Sequence, residues 1–173
     1  MSEYLLVIDM QNDFIDGALG TAEAVKIVPK VLEKVKGFEG KIIFTRDTHG
    51  ENYLETEEGR NLPVKHCIKD TFGWQICDKL LPYCEKVIDK PTFASRELGE
   101  FLADEEKKEH IEKITLVGLC TDICVISNAF LVKGFLPNAK ISVDAACSAG
   151  VTPKSHLTAL DAMKACQIEI IGE

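Results

Sequence analysis

The chain has 173 residues, a hydrophobic fraction of 46% and a charged fraction of 28%, the balance of an ordinary globular protein whose core needs no disulfide or metal staple. Its formal net charge is −8 and no basic run longer than Lys107-Lys108 occurs, which argues against nucleic acid and anionic membrane as partners. No apolar run approaches the roughly 18–20 residues that span a bilayer, Met1-Ser2-Glu3-Tyr4 shows no signal-peptide pattern, and the odd count of seven cysteines, several inside apolar segments, predicts free thiols in a reducing cytoplasm.

Tyr4 to Ile8 is a continuous apolar run, the mark of a strand covered on both faces. It leads into Asp9-Met10-Gln11-Asn12-Asp13-Phe14, then turn material at Asp16-Gly17 and Leu19-Gly20. Thr21 can cap a helix to about Lys36, with Ala24, Ile27, Val28, Val31, Leu32 and Val35 on its buried face. A second strand, Lys41 to Thr45, ends in Arg46-Asp47-Thr48-His49. The stretch from Glu51 to Trp74 is polar and without period, and a loop of that length in a compact domain is usually functional. A short helix is expected over Gln75 to Leu81, then a strand over Glu85 to Asp89 followed by Lys90-Pro91-Thr92-Phe93. Further on come a helix near Ser95–Glu106, a strand at Ile114 to Val117 and a helix from Asp122 to Lys133. Lys140 to Asp144, Thr152 to Ala165 and Gln167 to Ile171 complete the pattern as strand, helix and strand. Alternating strands and helices predict one α/β domain over residues 1–173, with three layers and a six-stranded, mostly parallel sheet.

Such sheets bind ligands beyond the carboxyl ends of their strands, and here those ends carry the reactive side chains. Asp9, Asp47 with His49, Lys90, and the turn holding Cys120 and Cys124 each follow a predicted strand. A cysteine at a strand-to-helix junction meets unpaired backbone N–H groups that favour thiolate, so Cys124 is expected to be a low-pKa nucleophile. Together the three groups form a coherent device: the thiol attacks a carbonyl, Asp9 carries protons, and Lys90 balances charge. Two other uses fit these residues less well. A phosphatase of the haloacid-dehalogenase kind would use Asp9 as nucleophile with a second Asp two residues on, where this chain has Gln11. The C-x3-C spacing of Cys120 and Cys124 fits neither the usual redox motif nor a common zinc knuckle.

The segments Val7–Phe14, Thr45–His49, His66-Cys67, Lys90–Phe93 and Gly118–Val125, in this order, resemble those of the isochorismatase-like cysteine hydrolases, and within them the nicotinamidase-related amidases. The resemblance implies an isochorismatase-like, Rossmann-like fold and an Asp9–Lys90–Cys124 triad. It also implies a cis peptide before Cys120, with the N–H groups of Cys120 and Cys124 forming the oxyanion hole. True isochorismatases lack the cysteine, so Cys124 points away from them. The implied activity is hydrolysis of a small carboxamide, nicotinamide first, to the acid and ammonia, as in pyridine nucleotide salvage. A ureido or carbamoyl substrate, and a non-catalytic binding protein on the same fold, are the alternatives.

Extended residues i and i+2 point alike, so Asp47 and His49 can share a ligand set with His66 from the loop, a combination suited to Zn2+ or Fe2+; Mn2+ is a further candidate. Some relatives add a loop carboxylate, for which Glu58 is the candidate here, with Glu55 behind it. Phe14, Trp74 and Phe93 flank the motifs and are expected to line the substrate pocket. A homo-oligomer is expected by analogy with relatives, and His110 and His156 receive no role.

Overall fold

A computed structural model describes residues 1–173. Strand β1 (Ser2–Ile8) is followed by the single turn α1 (Asn12–Ile15), the long helix α2 (Ala22–Lys36) and strand β2 (Lys41–Asp47). Helix α3 (Glu57–Asn61) lies in the long loop before β3 (Val87–Lys90). The remaining elements are α4 (Arg96–Lys108), β4 (Ile111–Leu119), α5 (Ile126–Phe135), β5 (Lys140–Ala149), α6 (Pro153–Ala165) and β6 (Glu169–Ile171). The six strands form one sheet in the order β3-β2-β1-β4-β5-β6. Every pairing is parallel.

Strand pleat sorts the apolar residues into two cores. Tyr4, Leu6, Ile8, Ile114 and Leu116 face one side, packed with Leu98 and Leu102 of α4, Ala129 and Val132 of α5 and Leu160 of α6. Leu5, Val7, Phe44 and Val117 face the other, against Ala24, Ile27, Val28 and Val31 of α2. Helices therefore cover both faces, and β1, continuous and apolar, is buried from Tyr4 onward. Local chemistry sets several ends: Thr21, Ser95 and Thr152 cap α2, α4 and α6 through bonds from the N–H groups of Ala24, Leu98 and Ser155. The sheet winds outward in both directions from β1, so the ends of β1, β2 and β4 meet at a switch point.

Two expected elements take another form. No α-helix forms over Gln75–Leu81; only its last residue enters a tight 3-10 turn, Leu81–Tyr83. Its backbone is claimed by the chain leaving β1: the Asn12 N–H donates to the Gln75 carbonyl at 3.0 Å and the Cys77 N–H to that of Met10 at 2.9 Å. Ile76 bridges to Gln11 in antiparallel fashion. The helix expected from Asp122 begins only at Ile126; before it lies a wide turn, Thr121–Val125, because the N–H groups of both Ile123 and Val125 donate to the Cys120 carbonyl.

Candidate active site

Register brings the predicted residues to one edge. Asp47 lies directly opposite Lys90 in the β2–β3 pair, and Ile8 opposite Gly118 in the β1–β4 pair. One residue beyond β1, Asp9 adopts a left-handed backbone with φ of +47°, a conformation Asp tolerates better than most residues. Gly118 has φ of +116°, and a Cβ there would run into the Ile8 carbonyl. Only glycine lets β4 reach its end this close to β1. The next peptide but one, Leu119–Cys120, is cis.

Lys90 sits at the centre of the group. Its ammonium lies 2.6 Å from Asp9 Oδ2, 3.5 Å from Asp47 Oδ1 and 3.4 Å from Cys124 Sγ, and it donates to the Thr92 carbonyl at 3.1 Å. Asp9 and Lys90 are fully buried and Cys124 is 4% exposed. Charges this far from water persist only when paired. The Thr45 hydroxyl fixes Asp9 from the other side: it accepts from the Asp9 N–H at 3.2 Å and donates to Oδ1 at 2.6 Å. Oδ2 faces Lys90 but receives no aligned hydrogen bond, which leaves a lone pair for a proton.

The electrostatics correct the expectation of a resting thiolate. Burial, then the negative charge of Asp9, push the Cys124 thiol well above its usual range, against the opposing pull of Lys90. Burial likewise raises the Asp9 carboxyl although Lys90 opposes it. Lys90 is destabilised by burial but held protonated by Asp9, Cys124 and Asp47, so its pKa is raised. These shifts favour an ammonium at Lys90 and a neutral thiol at Cys124. A carboxylate of raised basicity beside a thiol is a proton acceptor already in place. The Cys120 thiol is pushed up to about 12, mainly by burial, so its sulfur is inert at neutral pH.

The four expected metal-ligating side chains also converge. One donor atom from each of Asp47, His49, Glu58 and His66 lies within 4.8 Å of all the others. Asp47 Oδ2 is 2.9 Å from His49 Nε2 and 3.5 Å from His66 Nε2; Glu58 Oε1 is 3.5 Å and 3.7 Å from the same nitrogens. Ligands at about 2.0–2.1 Å around a tetrahedral ion stand roughly 3.3–3.4 Å apart, so the spacing fits a small divalent cation. His66 Nδ1 lies 2.8 Å from the Val64 carbonyl; donation there leaves the Nε2 lone pair facing the other donors. Tyr53 packs its ring against both imidazoles, with centroids 4.7 Å from His49 and 5.0 Å from His66. Thr56 caps α3 and Gly59 packs under the Tyr53 carbonyl, which sets Glu58 in the group; Glu55 is exposed and outside it.

Among the expected pocket aromatics, Phe14 lies with its ring centroid 5.5 Å from that of His66. Phe93 is 42% exposed on the loop after β3. Trp74 is not brought to the group. Its indole N–H donates to Thr48 Oγ1 at 2.9 Å and its ring lies under the Arg46 guanidinium, 3.7 Å from the centroid. Arg46 and Thr48 alternate with Asp47 and so point to the opposite side of the strand.

Sequence reasoning overlooked the second layer. The Gln11 side chain is fully buried, donates to the carbonyls of Asp47 and Trp74, both at 2.8 Å, and accepts from the Asp47 N–H at 2.7 Å. Asp13 Oδ2 accepts from the Cys67 N–H at 2.8 Å, tying the His66 segment to the end of β1. The available signal was a dense polar run, Gln11-Asn12-Asp13, directly after a doubly buried strand. Thr121 Oγ1 lies 2.8 Å from His156 Nδ1 and Asp122 Oδ1 accepts from the Val151 N–H at 3.1 Å, which anchor the cysteine turn on the β5–α6 junction.

Comparison with known proteins agrees with this arrangement. The Isochorismatase domain matches residues 3–172. The "uncharacterized isochorismatase family protein PncA" of Bacillus subtilis is 30% identical over 92% of this chain and 93% of its own. The nicotinamidase of Saccharomyces cerevisiae is 24% identical over 72% of this chain and 78% of its own. Among solved structures, the pyrazinamidase of Pyrococcus horikoshii in complex with zinc superposes with a TM-score of 0.84 at 29% identity, covering 100% of both chains. The Bacillus subtilis nicotinamidase/pyrazinamidase PncA does so with a TM-score of 0.82 at 25% identity, over 98% of this chain and 99% of that one.

Proposed function

The chain belongs to the isochorismatase family, and from that premise we propose that it is a C–N hydrolase converting nicotinamide to nicotinic acid and ammonia through a thioester on Cys124. The observation that carries this reading is the contact of Lys90 with both Asp9 and Cys124, at 2.6 Å and 3.4 Å, beside a four-donor metal group. The named activities of the nicotinamidase and pyrazinamidase relatives support the substrate class.

Asp9 takes the Cys124 proton as Sγ attacks the amide carbon. The negative oxygen so formed is held by the backbone N–H groups of Cys120 and Cys124. Asp9 returns its proton to the amide nitrogen, the C–N bond breaks and ammonia leaves a thioester. Asp9 then takes a proton from water as it attacks the thioester carbon, the C–S bond breaks, and the proton passes back to Cys124. Lys90 stays protonated and offsets the negative charge that moves between Asp9 and sulfur. Asp47, His49, Glu58 and His66 would hold a divalent ion, Zn2+ by ligand type, which when bound supplies a Lewis-acid position for the pyridine nitrogen. Phe14, beside His66, and Phe93 flank the space for the ring, and the seven free thiols suit a cytoplasmic enzyme.

Ammonia release from nicotinamide by the purified protein tests the activity, and an inert protein with full metal content refutes the substrate assignment. The pH dependence follows from the charge state. The active form needs Asp9 ionised, and its carboxyl is raised, so kcat/KM should fall on the acid side at a pH above the ~4 of an ordinary carboxylate. Both Lys90 and Cys124 are raised as well, so the rate should hold through about pH 9 without an alkaline limb. For the metal group, His49→Ala and His66→Ala should each weaken Zn2+ binding by more than about 100-fold, read by competition with a chromophoric chelator.

A further inference from the structure

Asn128 takes no part in the reaction as written, yet it is fully buried one turn after the nucleophile in α5. Its amide makes three hydrogen bonds. Nδ2 donates to the Cys124 carbonyl at 2.8 Å and to the Phe93 carbonyl at 2.9 Å, and Oδ1 accepts from the Ser95 N–H at 2.9 Å. A backbone N–H can only donate, so the Ser95 contact fixes which way the amide points. Two of the three partners belong to the segment between β3 and α4, which carries the Thr92 carbonyl that accepts from Lys90 Nζ at 3.1 Å.

We propose that Asn128 is a positioning residue that sets the Lys90–Cys124 distance, by clamping the Phe93–Ser95 loop, and with it Thr92, onto the helix that follows the nucleophile's turn. The inference rests on the reading of Cys124 as nucleophile and Lys90 as its charge partner. The geometry gives it content. Lys90 Nζ is held by Asp9 on one side and by Thr92 on the other. The loop bearing Thr92 lies outside every strand and helix. The Asn128 bonds at Phe93 and Ser95 hold that loop on both sides of Ala94. Release of the clamp frees the Thr92 carbonyl to move and widens the gap between ammonium and sulfur.

Asn128→Thr is the decisive variant, because its hydroxyl can still bond the carbonyl four residues back in the helix while both loop bonds are lost. The reading is iodoacetamide alkylation of Cys124, followed by mass spectrometry on the folded protein at fixed pH. This measurement needs no amide substrate, so a wrong substrate assignment leaves it intact. Loosening Lys90 should push the thiol up further, so alkylation should slow about tenfold. In a Lys90→Met background the same substitution should add nothing, since Asn128 acts through the ammonium. Turnover should follow, with kcat reduced and KM unchanged. An unchanged alkylation rate in Asn128→Thr, or an equal slowing in both backgrounds, overturns the proposal. Asn128→Ser, which also loses the loop bonds, serves if the Thr variant does not fold, and carries the same two outcomes.

Discussion

Asp9→Asn should divide two reactions of the same sulfur. The substitution keeps the shape of the side chain and its contact with the Thr45 hydroxyl, but removes the proton acceptor. Amide hydrolysis should fall by about 10³–10⁴-fold in kcat/KM, the scale of a lost general base. Alkylation of Cys124 should accelerate. The thiol is raised by burial and then by the charge of Asp9; with that charge gone and Lys90 still 3.4 Å away, more thiolate exists at any neutral pH. Steady-state ammonia release and the iodoacetamide rate on one preparation check both halves. A parallel fall in the two rates would mean that Asp9 builds the site and does not serve as its base.

Lys90→Met should be the most destabilising single change at the site. Methionine has nearly the volume of lysine and no charge, so Asp9 is left fully buried without its counter-ion. Removing one partner of such a pair costs about 3–5 kcal/mol, visible as a lower denaturation midpoint. The pH dependence has a defined sign. In the variant Asp9 loses the charge that opposes burial, so its folded pKa rises still further above the unfolded value near 3.9. The cost is then present above that folded pKa and disappears as pH falls through it. Wild type and variant should converge in stability toward acid pH. Asp9→Asn combined with Lys90→Met should recover much of the loss at neutral pH, the outcome a double-mutant cycle measures.

The strand ends were legible in the sequence because a parallel sheet enforces simple geometry. Five apolar residues from Tyr4 announce β1, and an acidic residue after such a run must appear at the carboxyl edge. The same geometry brings Asp9, Asp47, Lys90 and Cys124 to one edge from the sequence pattern alone. Long-range competition decided the rest. Gln75–Leu81 carries helix-forming residues, but its backbone groups are taken by Met10 and Asn12, a pairing across more than sixty positions that no local pattern reports. Trp74 looked free to face the pocket until Arg46 and Thr48 claimed its ring and its N–H. The state of the Cys124 thiol was misjudged for a related reason. Helix position is visible in sequence, whereas complete desolvation beside a carboxylate is a property of the assembled core. Gln11 and Asn128 escaped because an amide's partners are unknown until the chain has closed around it.

The protonated, enclosed state of Cys124 also bears on how the protein ages under oxidising conditions. Peroxide attacks thiolates, and it attacks those it can reach. Burial that favours the thiol and an exposure of 4% leave Cys124 little anion and only a narrow approach, except in the moments when Asp9 takes its proton. Cys166, at the C-terminal end of α6 and open to solvent, should meet the oxidant first. Sulfenic acid formed there leaves the Cys124 sulfur intact, so exposure to dilute peroxide should mark the surface well before it silences the enzyme.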